Sequence, residues 1–73
     1  MKYVIKNNLP KGDGHTQDEF TSAKQVRKAF FAISAELADR WYIKVSYREK
    51  PLRGTIQVEI DGFYYYVELY TEA

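Results

Sequence analysis

Asp61-Gly62 joins two alternating runs, and that junction constrains the fold more than any other stretch of the chain. A two-residue type I′ turn needs positive φ at both central positions, which Asp-Gly accepts. Such a turn pairs Ile60 with Phe63, Val58 with Tyr65 and Ile56 with Val67. These six apolar side chains then share one face, and Glu59 with Tyr64 and Gln57 with Tyr66 share the other. A slip of one residue would carry each set to the wrong side, so turn chemistry and hydrophobic pattern select the same register.

Trp41 to Glu49 alternates in the same way. The combined inner face reads Trp41, Ile43, Val45, Tyr47, Ile56, Val58, Ile60, Phe63, Tyr65, Val67 and Leu69, a core face. Lys50 to Gly54 contains Pro51 and Gly54 and reads as the turn before a strand over Thr55 to Ile60. At the other end, Tyr3-Val4-Ile5 is a short apolar run between Lys2 and Lys6 and predicts a first strand. Asn7 to His15 holds two Asn, one Pro and two Gly and predicts a loop.

Between them lies a helix. Ala23, Val26, Phe30, Ile33 and Leu37 recur at steps of three and four, which places them on one stripe. Ser22 with Gln25 fits a capping box, with Asp18 a rival start. The predicted helix runs from Ser22 to Asp39 or Arg40, about 27 Å at the usual rise. The order β-α-β-β-β predicts a two-layer α+β domain over residues 1–73, one helix packed on a mainly antiparallel four-stranded sheet.

The 73 residues include no cysteine and one histidine, so neither disulfides nor an ordinary zinc site can staple so small a domain. Stability must come from the hydrophobic residues, 45% of the chain, and above all from the aromatic residues, 16% of the chain. Net charge is +1, unlike the strongly basic balance of most nucleic-acid binders. Met1 to Lys6 has no long apolar run, which predicts neither a signal peptide nor a membrane span and places the protein in the cytoplasm. Gly12-Asp13-Gly14-His15 lacks the strand-to-helix context and the Lys-Ser/Thr of a phosphate loop and reads as a plain loop. No nucleophile turn or paired carboxylates appear, so neither catalysis nor a cofactor is expected.

Two surfaces are candidates for binding. The outer sheet face carries Tyr42, Tyr64, Tyr66 and Tyr70 among Lys44, Arg48, Gln57, Glu59 and Glu68. Strands favour aromatics for their own stability, but tyrosine also suits interfaces, where it offers large area at low entropy cost. Exposed sheet aromatics can stack nucleic-acid bases, yet Glu59, Glu68 and Glu72 on this face would repel phosphates, which favours a protein partner. The second surface is the helix side bearing Lys24, Arg27, Lys28 and Phe31. Phe31 lies about 130° from the stripe, and the cations occupy the end where the helix dipole prefers acids. Alternatively, the N-terminal loop folds over this side, with Leu9 covering Phe31 and Asp13 or Asp18 near the lysines.

Thr21-Ser22-Ala23-Lys24 at the helix start and Gly54-Thr55-Ile56-Gln57-Val58-Glu59 in a strand complete a pattern that, as whole-chain architecture, resembles small phage and mobile-element proteins, in particular some anti-CRISPR proteins. The resemblance implies a stoichiometric inhibitor acting in the host cytoplasm, which docks on a CRISPR effector complex and blocks nucleic-acid binding or cleavage. It transfers no functional residue. A net charge of +1 departs from the strongly acidic DNA-mimic subclass and points to a blocked protein surface. A nucleic-acid-binding module using the basic N-terminal half and the tyrosines, and a homodimeric assembly protein, are the alternatives.

Overall fold

A computed structural model describes residues 1–10 and 16–72. Its elements are β1 (Lys2–Asn7), β2 (Thr16–Phe20), α1 (Ala23–Ala38), β3 (Tyr42–Glu49), β4 (Leu52–Ile60) and β5 (Phe63–Glu72). The strands form one antiparallel sheet in the order β2-β1-β5-β4-β3. Among the described residues the α+β class and the single helix agree with the sequence, but the sheet has five strands rather than four. The additional strand is β2, which pairs with β1 from Tyr3 opposite Phe20 to Asn7 opposite Thr16. Gly12 to His15 lie outside the described residues.

The β4–β5 hairpin has the predicted register, with Ile60 opposite Phe63, Val58 opposite Tyr65 and Ile56 opposite Val67. Asp61 has φ 53° and Gly62 φ 82°. Asp visits this left-handed region through local hydrogen bonding, and Gly visits it without steric cost. Gly62→Ala would force a Cβ into that region, so we expect a loss of about 1–2 kcal/mol. Urea denaturation tests this, and an unchanged midpoint would show that a Cβ is tolerated at this φ.

α1 begins where the sequence places it. Ser22 is the cap, and its Oγ accepts from the Gln25 N–H at 3.3 Å. The helix ends at Ala38, and the Arg40 and Trp41 N–H groups both donate to the Leu37 carbonyl at 3.0 Å. Its first turn has no acidic side chain and its last turn no basic one. Val26, Phe30 and Leu37 are buried, and Ala23 and Ile33 pack against the core from its margin. They meet Ile5, Leu52, Ile56, Val58, Val67 and Leu69 from one side of the sheet.

Three features of the inner face depart from the sequence reading. β4 starts at Leu52, so Gly54 lies within a strand and the turn is only Lys50-Pro51. Gly54 is buried beneath the Phe30 ring. Val45 and Phe63 point to the helix side but remain exposed. Val45 lies on the edge strand and Phe63 at the hairpin tip, and a helix of 16 residues, about 24 Å long, does not cover both corners.

Candidate functional site

The side of the sheet away from α1 has no covering layer among the described residues. The strand register arranges its side chains in rows. Tyr42, Glu59 and Tyr64 form the first row, and Lys44, Gln57 and Tyr66 the second. Further along, Arg48 stands opposite Arg53. On the other half of the sheet, Tyr70 stands opposite Val4, and Val4 opposite Glu19. Lys6 faces Glu68, and Lys2 faces Glu72.

Tyr42, Lys44, Tyr64, Tyr66 and Tyr70 all lie on this face, as expected, but they are not equivalent. Tyr42 is 86% exposed, Tyr64 57% and Tyr66 40%. Lys44 beside them is also exposed. The Tyr66 hydroxyl donates to Gln57 Oε1 at 3.4 Å, which orients its ring across the β4–β5 pair. Tyr70 is only half-exposed. It adjoins Val4, which has no solvent exposure although it lies outside the main core cluster. Tyr70 therefore helps bury an apolar residue on the open side, and three tyrosines rather than four are free to make contacts.

Charge on the face is segregated, where the sequence suggested a mixture. The Lys2 ammonium bridges Glu72 at 3.0 Å and Glu19 at 3.5 Å. Its hydrogen bond to Glu72, with the Glu19 charge behind it, holds its pKa above the ordinary lysine value. With Glu68 beside Lys6, most carboxylates of the face gather around β1. Lys44, Arg48 and Arg53 on β3 and β4 have no ion-pair partner among the described residues. Glu59, between Tyr42 and Tyr64, is the one outward-facing carboxylate within β4.

The helix set divides differently. Lys24 and Lys28 are exposed, while Arg27 is half-buried. Phe31 does not project alone. Its ring packs edge-on to Phe30 at 5.3 Å and to Tyr47 of β3 at 4.8 Å. The Tyr47 hydroxyl donates to Glu49 Oε1 at 3.3 Å. Burial, and then the Glu49 charge, raise its pKa above the ordinary tyrosine value.

A concavity of about 380 Å³ beside Tyr3, Ala23 and Leu52 presents Arg27, Lys50 and Glu49 but no nucleophile–base pair. Among the described residues, no three His, Cys, Asp or Glu side chains converge on a metal-sized site. No described helix is long and apolar enough to cross a membrane. Among the described residues the arrangement presents exposed aromatic rings, cations without an ion-pair partner and a sheet side with no covering layer. No family model, curated protein or solved structure matches the chain.

Proposed function

We propose that this chain is a small non-enzymatic protein-binding module, with the open sheet face as its contact surface. The observation that supports this best is the grouping of exposed Tyr42, Tyr64 and Tyr66 in two adjoining rows. Sheet stability alone does not require rings as exposed as those of Tyr42 and Tyr64. An interface gains from them, because a tyrosine brings large area with few torsions to freeze. Binding energy in such surfaces concentrates in a few aromatic and arginine anchors. Lys44 and Tyr70 flank this group, and the partner is a host protein or nucleoprotein complex. An anti-CRISPR-like inhibitor of a CRISPR effector in the host cytoplasm is the narrower form of the proposal, carried by architectural resemblance. Lys24, Arg27, Lys28 and Phe31 form the second candidate surface.

A tagged pull-down from the native host's lysate, with and without nuclease, tests the proposal in two versions of the protein. The wild type should retain a stoichiometric protein after nuclease treatment. Tyr42→Ser/Tyr64→Ser/Tyr66→Ser should lose at least tenfold in affinity for that purified partner, since each anchor is worth about 1 kcal/mol or more. Its melting temperature should stay close to wild type, because exposed positions contribute little to stability. Equal recovery by both versions would move the contact away from this face. Recovery that nuclease abolishes would favour nucleic acid, for which the carboxylate-poor half around Lys44, Arg48 and Arg53 is the supporting observation.

A further inference from the structure

The open edge of the sheet at β3 is built unlike the edge at β2. β3 is an outermost strand of eight residues with no partner on its free side among the described residues. Alternate N–H and C=O groups of such an edge are available for pairing. Two apolar groups border it on the helix side: Val45 at 39% exposure and Phe31 at 44%, the latter against Tyr47. On the opposite side the same strand presents Lys44 and Arg48, both exposed. Arg48 stands directly opposite Arg53. Like charges in that position destabilise a sheet, and no carboxylate bridges either of them among the described residues. The β2 edge is shorter, with five residues, and its Glu19 is already bridged to Lys2.

From these observations we infer that β3 receives an extended acidic segment of a partner protein as a sixth strand. This deepens the protein-binding reading and rests on it. Strand addition would supply main-chain hydrogen bonds, with side-chain specificity at alternate positions. Carboxylates four residues apart on the added strand would face Lys44 and Arg48, and small apolar residues between them would cover Val45 and adjoin Tyr47.

Two other occupants fit less well. A single-stranded nucleic acid could meet the cations but would not continue the main-chain ladder along the β3 edge. A second copy would bring Lys44 and Arg48 against another Lys44 and Arg48. Pairing two β3 strands with faces preserved and Ser46 at the centre sets Lys44 opposite Arg48 twice. Centring on Val45 avoids that opposition but still places four cations along one seam. The edge cations thus repel a basic strand and accept an acidic one, so the same residues discourage self-association and select a partner.

The test is amide NMR of the isotope-labelled full chain titrated with the peptide acetyl-Glu-Val-Thr-Val-Glu-Val-Thr-amide. Signals of Tyr42 to Glu49 should shift, and those of Lys2 to Asn7 should not. A matched peptide with lysine in place of glutamate should bind at least about tenfold more weakly, the effect of two exposed ion pairs changed from attraction to repulsion. Lys44→Glu/Arg48→Glu should reverse that preference, a readout that a misfolded variant could not give. Absence of β3 shifts at millimolar peptide, or equal binding of both peptides, overturns the inference. So does tighter binding of an oligothymidine with shifts at Tyr42 and Tyr66, or β3 shifts that follow protein concentration alone. Tyr42→Ser/Tyr64→Ser/Tyr66→Ser should leave the peptide shifts in place. A lysate partner lost by that variant but retained by Lys44→Glu/Arg48→Glu would sink the edge inference alone and leave the tyrosine face standing.

Discussion

Gly54→Ala is expected to destabilise the domain by about 1–3 kcal/mol, as overpacking does in a well-filled core. The sign is informative. A glycine inside a strand ordinarily weakens it, so alanine there should stabilise by roughly 0.5–1 kcal/mol. Gly54 is exempt because a Cβ built on it would lie 2.5 Å from Phe30 Cζ, and 2.9 and 3.0 Å from the two neighbouring ring carbons. Phe30 has no exposed surface into which it could retreat. Its ring is also held by Phe31 at 5.3 Å and by Tyr47 at 6.0 Å. Urea denaturation should show a lower midpoint with unchanged slope, the mark of altered stability rather than altered compactness. In a Phe30→Leu background the shorter side chain removes the clash, so the same glycine substitution should cost less. The two changes should couple by about 0.5–3 kcal/mol in a double-mutant cycle. A midpoint that rises in Gly54→Ala would mean that the ring yields and the contact constrains nothing.

Gly54 also marks where sequence reasoning stopped. Its place after Lys50-Pro51 made it look like a turn residue, because glycine most often signals special φ. Here the demand comes from a phenylalanine on the helix, and nothing in the local sequence announces that. The β4–β5 hairpin was legible for the opposite reason: turn chemistry and alternation are both local, and both chose the observed register. β2 was missed because Thr16 to Phe20 has one large apolar residue and no alternation. It is held by main-chain pairing to β1, which leaves no hydrophobic pattern. Alternation placed Val45 and Phe63 on the correct side, but coverage by a helix depends on where its axis crosses the sheet. The tyrosine face was readable once strand parity was known. Its charge segregation was not, since Glu68 and Glu72 meet Lys6 and Lys2 only because the last strand lies beside the first.

Phe30→Ala should have the largest effect of any single substitution considered, about 3–5 kcal/mol. The ring is fully buried and is the largest such side chain in the core. A domain of 73 residues has a total stability of only about 4–11 kcal/mol at typical values per residue. The variant should therefore melt at least about 12 °C lower and be partly unfolded under mild conditions. Phe31→Ala, two-fifths exposed and at the margin of the same aromatic cluster, should cost no more than about 1–2 kcal/mol, because less area returns to water. Thermal melts of the pair test how labour is divided between adjacent phenylalanines: Phe30 closes the core over Gly54, and Phe31 finishes the border between α1 and the β3 edge. If Phe31→Ala proves as damaging as Phe30→Ala, then Phe31 belongs to the core and cannot be part of a contact surface. If it leaves the fold nearly intact, the Phe31 ring beside Tyr47 is not required for stability, and the apolar border of the β3 edge is free to serve a contact.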